Sequence, residues 1–184
     1  MFEDTWLILK FKCGSGEALG RIYEKYRYYL LKLATALLHD TGAAEDVVHD
    51  VFLHFAKSGR RIGIRGSLKS YLRISVIHGV RNHIRDNRLR GHDRLDEGEA
   101  DLKSETSDCW VILNEESRQV QDALAQIPFD QREVVVLHLC GGMTFREIGQ
   151  LQTESIKTIQ SRYRYGLDKL RAILDSEVKN EADN

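Results

Sequence analysis

Residues 144–170 read TFREIGQLQTESIKTIQSRYRYGLDKL and decide the fold of the C-terminal part of the chain. Thr144 and Glu147 have the spacing of a capping box, in which a hydroxyl and a carboxylate satisfy exposed backbone donors where a helix begins. The helical pattern breaks over residues 152–154, and Ser155 follows as a suitable N-cap for a second helix. A short helix, a turn and a long helix predict a helix-turn-helix.

The long helix of this motif has an apolar stripe and a polar face. The stripe consists of Ile159, Tyr163, Leu167, Leu170 and Leu174. In a helix-turn-helix the second helix lies in the DNA major groove, where its first residues meet base edges and later cations hold phosphates. The side chains that point away from the stripe are Lys157, Thr158, Gln160, Ser161 and Arg164, with Arg162 at its edge. They predict DNA binding, and the alternative is an amphipathic helix with an ordinary solvent-exposed face.

The composition is that of a folded helical protein. Hydrophobic residues make up 42% of the 184 residues and charged residues 30%, which excludes a disordered chain. No apolar run approaches the roughly 20 residues of a membrane span. A single proline and helical rather than alternating apolar spacing predict an all-α fold. Because residues 1–12 lack the pattern of a secretion signal, we expect a cytoplasmic location.

The cysteines and histidines favour neither a metal site nor an enzyme. The three cysteines are Cys13, Cys109 and Cys140. Their odd number and wide spacing, without a Cys-x-x-Cys pair, argue against a disulfide framework and a zinc knuckle. The pairs His49/His54 and His78/His83 are each five residues apart and do not share a helix face cleanly. With no phosphate loop or nucleophile–base set, we expect no catalysis, no metal and no cofactor.

The charge is unevenly distributed along the chain. Residues 57–94 contain eleven Lys or Arg against two acidic residues, whereas residues 95–116 contain eight acidic residues against one lysine. The overall net charge of −1 hides this contrast. A basic block of this size attracts a phosphate backbone, although two solvated faces of opposite sign would give the same count.

The N-terminal part is predicted to form a three-helix unit over residues 1–90. The first helix spans Gly16–Asp40, the second begins after residues 40–42, and the third spans Ser67–Arg90. A flexible basic loop is predicted at residues 59–66. The second helix packs through Val47, Val48, Val51, Phe52 and Phe55, and exposes Glu45, Asp46, His49 and Asp50. The third directs Leu68, Tyr71, Leu72, Ser75, Val76, Val80 and Ile84 inward, and Lys69, Arg73, Arg81, Arg85 and Arg88 outward.

An acidic, flexible linker is predicted at residues 91–108, because its Gly, Asp, Glu and Ser content cannot bury enough surface to become ordered. It separates the first unit from a C-terminal helix-turn-helix domain at residues 109–176. Within that domain, helical spacing runs from Trp110 to Ile127 and restarts over Arg132–Cys140. The polar tail at residues 177–184 is expected to fray.

Several stretches resemble the extracytoplasmic-function (ECF) sigma factors of the sigma-70 family. The C-terminal ones are ALAQIP (123–128), REVVVL (132–137), FREIG (145–149) and TIQSRYRYGLDKLR (158–171), which look like the domain that reads the minus-35 element. DTGAAEDVVHDVFL (40–53) looks like the helix that docks on the polymerase clamp. SLKSYL (67–72), with the arginine-rich run after it, is similar to the segment that reads and melts the minus-10 element.

This resemblance implies a function and a set of site residues. The implied function is a transcription-initiation factor that binds core RNA polymerase and directs it to minus-10/minus-35 promoters. The residues implied to bind core polymerase are Glu45, Asp46, His49, Asp50 and Phe52. Those implied to bind minus-10 DNA are Lys69, Tyr71, Arg73, His78, Arg81, Asn82, Arg85 and Arg88. Those implied to bind minus-35 DNA are Arg146, Ser155, Lys157, Thr158, Gln160, Ser161, Arg162 and Arg164.

The chain departs from the family pattern at two places. His78 and Asn82 stand where the family often has Asn and Asp, and residues 153–155 read Thr-Glu-Ser instead of Gly-Val-Ser. The promoter sequence therefore stays open.

Other readings of the chain remain. They are a helix-turn-helix regulator that binds an operator alone, and an adaptor that binds polymerase without recognising a promoter. We expect a monomer when free and no membrane insertion, and the sequence leaves open whether an anti-sigma factor binds.

Overall fold

The computed structural model describes residues 2–58, 67–92 and 115–182, which form eight helices and no strand. The helices are α1 (Phe2–Lys12), α2 (Gly16–Leu38), α3 (Thr41–Ser58), α4 (Leu68–His92), α5 (Glu115–Ala125), α6 (Phe129–Leu139), α7 (Phe145–Gln152) and α8 (Ile156–Ala182). The chain divides into two compact units, residues 1–104 and 105–184. The predicted all-α fold is confirmed. None of the described helices is long and apolar enough to cross a membrane.

Local capping sets the helix boundaries in the first unit. Ser15 begins α2, because its hydroxyl accepts a hydrogen bond from the Ala18 N–H at 3.3 Å. His39 ends α2 in the left-handed region, with φ 57°. The Asp40 carboxylate then accepts from the Ala43 N–H at 2.9 Å, so α3 starts directly after the turn. The connection between α2 and α3 is therefore short and well defined.

The core of the first unit lies between α2, α3 and α4. Phe55 is fully buried and stacks on Phe11, with ring centroids 4.9 Å apart. Helices α3 and α4 lie close together at Gly79, where a Cβ would lie 2.8 Å from Cγ1 of Val47. A larger residue at this position would force Val47 to move. Apolar residues of α4 that the pattern directed inward, including Leu68, Leu72, Val76 and Val80, are buried.

Helix α1 is not predicted by the sequence pattern. Its apolar residues 6–9 form a continuous run without helical periodicity. The structure buries Leu7 and Phe11 of this helix. Tyr26 of α2 donates a hydrogen bond from its hydroxyl to Asp4 at 2.7 Å, and Lys25 bonds the same carboxylate at 2.8 Å. Helix α1 is thus attached to α2 by apolar and ionic contacts.

Several predicted positions and boundaries are wrong. Arg73 was expected to face outward but is only 7% exposed. Helix α4 continues through Gly91 and His92, into the predicted linker. Helix α8 continues to Ala182, so it includes residues 177–182 of the predicted polar tail. The predicted loop at 59–66 and the rest of the predicted linker lie outside the described residues.

The second unit packs α6 against α8. Residues 134–137 of α6 are buried, as is Ile159 of α8. Gly166 permits the contact, because a Cβ there would lie 2.8 Å from Cγ2 of Val135. Helix α6 begins at Phe129, directly after Pro128, which is three residues earlier than the sequence pattern predicts. Proline suits this position because a helix start needs no N–H from it.

Candidate nucleic-acid and partner interfaces

The predicted capping box is present at the start of α7. The Glu147 N–H donates to the Thr144 hydroxyl at 3.3 Å, and the Thr144 N–H donates to the Glu147 carboxylate at 2.8 Å. Thr153 ends α7 with φ 58°. Ser155 then caps α8 by accepting from the Thr158 N–H at 3.1 Å. Both helices of the predicted helix-turn-helix are therefore formed and capped.

The turn between α7 and α8 is tight because Gly149 has no side chain. A Cβ at this position would lie 2.9 Å from the Glu154 carbonyl oxygen and 3.7 Å from Cγ1 of Ile159. The Glu154 N–H donates to the Gly149 carbonyl at 2.9 Å. The close approach fixes the point at which α8 leaves the turn.

The start of α8 presents hydrogen-bond donors to solvent. Lys157, Gln160 and Arg164 are exposed, whereas Thr158 and Ser161 are half-buried. The Arg164 guanidinium lies 5.2 Å from the ring centroid of the exposed Tyr165. On α7, Arg146 is exposed. These side chains are of the types that bind base edges and phosphates in a major groove.

Arg162 is placed differently from the other predicted DNA contacts. Its guanidinium donates to the Gln152 side-chain oxygen at 2.9 Å and to the Glu154 carboxylate at 3.1 Å. The Gln152 amide in turn donates to Glu133 at 2.8 Å. Glu133 is only 4% exposed. The sequence pattern did not single out Glu133 or Gln152, because their pairing joins positions 19 residues apart.

His138 is a second residue that the sequence pattern did not single out. Its ring stacks on Phe145 with centroids 4.3 Å apart and meets the edge of Tyr163 at 4.9 Å. Its Nδ1 lies 2.7 Å from the Met143 carbonyl oxygen. Because a carbonyl only accepts, Nδ1 carries the proton and donates. The ring therefore connects α6, α7 and α8.

Helix α3 has the predicted acidic outer face. Asp46, His49 and Asp50 are exposed, and Glu45 is half-buried. Among the described residues, the buried Glu45 Oε1 has no hydrogen-bond donor. Glu45 lines a groove between α2 and α3. Phe52 is buried against Tyr23 at 4.8 Å between ring centroids, so it supports this face instead of contacting a partner directly.

Helix α4 presents a mixed polar and basic surface. His78, Asn82, Arg85 and Arg88 are exposed, and Arg81 is half-buried. Arg85 pairs with Asp86 at 3.2 Å.

Two other predicted minus-10 residues of α4 contact aromatic rings of the same unit. The Lys69 ammonium is 4.4 Å from the Tyr29 ring centroid. Tyr71 is half-buried with its ring 5.9 Å from that of Phe55, which is a packing role.

A polar groove runs between α3 and α4. One wall contains Asp46, Asp50 and His54, and the other contains His78, Asn82 and His83. Within the described ranges, no three of the histidines, cysteines and carboxylates come close enough to hold a metal ion. The groove therefore brings together the predicted polymerase-binding and minus-10 faces.

A helix-turn-helix unit and a second helical unit with a basic face are typical of a DNA-binding protein. Two regions of the chain match known families. Residues 22–90 match sigma-70 region 2, and residues 117–170 match sigma-70 region 4, together about two thirds of the chain. The chain belongs to the sigma-70 family of RNA polymerase sigma factors, in the ECF group.

Curated relatives include the ECF RNA polymerase sigma factors SigK of Mycobacterium bovis and Mycolicibacterium vanbaalenii. The first is 24% identical over 161 residues, which cover 86% of each chain. The second is 26% identical over 161 residues, which cover 86% of this chain and 82% of the relative.

Two solved structures share the fold. One is RpoE of Bartonella quintana in complex with the anti-sigma factor NepR, with a TM-score of 0.67 and 18% identity over 84% of this chain and 97% of RpoE. The other is CnrH in complex with the cytosolic domain of CnrY, with a TM-score of 0.64 and 20% identity over 95% of this chain and 98% of CnrH.

Proposed function

We propose that this sigma factor directs core RNA polymerase to promoters with a minus-10 and a minus-35 element and assists promoter melting. Sigma factors are transcription-initiation factors, not enzymes. The observation that carries the proposal is the capped start of α8, where Lys157, Gln160 and Arg164 are exposed together on a helix that leaves a tight turn. This is the part of a helix-turn-helix that enters the major groove.

At the minus-35 element, Lys157, Gln160 and Ser161 lie nearest the base edges. A lysine can donate to guanine and a glutamine amide can pair with adenine. Arg164 and Arg146 lie at the margins of this surface and contact phosphates. Contacts to phosphates position the protein, whereas contacts to base edges give it sequence preference.

Core polymerase binds the outer face of α3. Asp46 and Asp50 are exposed carboxylates one helical turn apart, and the half-buried Glu45 precedes them on the same helix. A basic surface on the polymerase would supply the opposite charges.

The minus-10 strand binds α4. Arg81, Arg85 and Arg88 are spaced at four and three residues, so they follow one side of the helix and form a cationic track. Single-stranded bases stack on guanidinium planes, which favours the open form of the promoter.

An anti-sigma protein is a further proposed partner. The two solved structures compared above are complexes, one with an anti-sigma factor and one with the cytosolic domain of CnrY. We expect such an anti-sigma protein to compete with core polymerase for binding to the first unit.

Run-off transcription with purified core polymerase tests the proposal. The full chain should produce defined transcripts from a subset of candidate promoters, and Gln160→Ala should change which subset is used. A control template with scrambled minus-35 and minus-10 elements should give none. If the free chain protects a DNA site but never supports transcription with core polymerase, the protein is instead an independent helix-turn-helix regulator.

A further inference from the structure

We propose that Gln152 and Arg162 are positioning residues that fix the recognition helix α8 in register with the minus-35 element, and that Arg162 does not contact a DNA phosphate. With Glu133 and Glu154 they form a turn clamp, the name used below for these four side chains. This inference rests on the proposed minus-35 function of α8.

The turn clamp joins the buried core to the exposed turn. Its inner end is Glu133 on α6, and its outer end is Glu154 in the turn before α8. Between them, Gln152 donates to Glu133 at 2.8 Å, and Arg162 donates to Gln152 at 2.9 Å and to Glu154 at 3.1 Å. Each of the four contacts the next, so α6, the turn and α8 are held together by one chain of hydrogen bonds.

Gln152 is chemically specific for its place in the clamp. A carboxylate only accepts hydrogen bonds and a guanidinium only donates them. A residue between Glu133 and Arg162 must therefore donate on one side and accept on the other, which a side-chain amide does. A glutamate there would face Glu133 with a second negative charge, and an apolar residue would leave Glu133 buried without this donor.

The clamp also provides the partners of the positively charged Arg162 side chain. Two of its terminal nitrogens bond Gln152 and Glu154, and the Asp130 carboxylate lies 3.9 Å away. Its side chain is 26% exposed, whereas Arg164, two residues later in the chain, is exposed to solvent. A guanidinium neutralised by two carboxylates contributes little to the release of counterions from DNA. The phosphate contacts therefore belong to Arg164 and Arg146.

The test compares holoenzyme containing Gln152→Met, Arg162→Met or Arg164→Met on a minus-35 duplex and its single-base variants across a series of salt concentrations. Gln152→Met and Arg162→Met should each weaken preference for the correct bases, by roughly tenfold at one or more positions, and leave the salt dependence unchanged. Arg164→Met should lower the salt slope, which is the steepness with which log affinity falls with log salt concentration, by about one. It should leave base preference intact. A fall of about one in the slope with Arg162→Met, without a matching change in Gln152→Met, would overturn the inference.

Two further variants keep the test decisive if Gln152→Met does not fold. Glu154→Ala removes the exposed carboxylate that accepts from Arg162, and it should relax base preference without lowering the salt slope. Unchanged preference at every base pair with Glu154→Ala contradicts the inference. Glu133→Gln still accepts from Gln152, so it should keep the wild-type base preference, whereas a requirement for the buried charge itself would change that preference.

The proposed minus-35 function is checked separately by Gln160→Ala in the same assay. If Gln160→Ala and Arg164→Met both leave binding unchanged, α8 does not read this element and the proposed function fails. If those two behave as expected while Gln152→Met and Arg162→Met differ from each other, only the clamp inference fails.

Discussion

His138 stacks on Phe145 with ring centroids 4.3 Å apart, while its Nδ1 donates a hydrogen bond to the Met143 carbonyl. One side chain of α6 thereby fixes both the loop before α7 and the first residue of α7. His138 thus joins α6 to the start of the predicted helix-turn-helix.

We expect His138→Ala to lower the free energy of unfolding of the second unit by about 1–3 kcal/mol, because it removes an aromatic stack and leaves a carbonyl without its donor. Chemical denaturation of the full chain measures this. His54→Ala is the matched control, since that ring is exposed. Equal stability of the two variants would show that the stack contributes nothing.

Charge reversal on α3 should weaken binding to core polymerase. Asp46→Lys combined with Asp50→Lys replaces attraction to a basic surface by repulsion, and fluorescence titration with core enzyme should give an affinity at least about tenfold lower. Glu24→Lys on α2 is the control, because Glu24 is exposed outside the proposed face. A folded double variant that binds with wild-type affinity contradicts the assignment.

Neutralising the basic track of α4 should affect promoter opening more than polymerase binding. Arg81→Gln, Arg85→Gln and Arg88→Gln together remove three cations from one side of the helix, so open complexes should become less abundant. Permanganate reactivity of thymines around the minus-10 element reports this. A triple Lys→Gln variant at Lys10, Lys12 and Lys32 is the control. Unchanged permanganate reactivity of the thymines would show that the three arginines only face solvent.

The residues that read bases and those that hold phosphates should behave differently on α8. Gln160→Ala should cost about 1–3 kcal/mol at its cognate base pair and relax preference there. Arg164→Ala should weaken binding to all sequences and lower the salt slope by about one. Holoenzyme binding to single-base variants at two salt concentrations separates them. If both variants lose affinity equally at every base pair, α8 is only an electrostatic clamp.

Acid should release α1 from α2. Burial alone would raise the pKa of Asp4, but hydrogen bonds from Lys25 and Tyr26 bring that pKa below its usual value, and the Lys25 ammonium also lowers the pKa of Glu3. A carboxyl whose pKa is lowered on folding stabilises above its unfolded pKa, and this stabilisation is lost as the pH falls through the folded pKa.

Trp6 fluorescence in a Trp110→Phe background should therefore change below about pH 4. Asp4→Asn should reduce this change, because the amide does not titrate. If the Trp6 fluorescence changes identically with and without Asp4→Asn, the titration of Asp4 does not cause the acid transition.

The sequence by itself determined the features that depend on neighbours within about four residues. The capping box at Thr144 and Glu147, the Ser155 cap and the buried Ile159 follow from local donors, acceptors and helical periodicity, so they were predicted. The acidic face of α3 and most of the basic face of α4 were found in the same way, since a periodic stripe shows which side of a helix is free.

Only the tertiary structure decided the features whose partners lie far apart in sequence. Helix α1 is held by a Tyr26–Asp4 bond across 22 residues. Glu133 and Gln152 meet across 19 residues, and through them Arg162 is turned toward the protein. Periodicity gives the direction of a side chain from its own helix, but it contains no information about which other helix supplies the opposite charge.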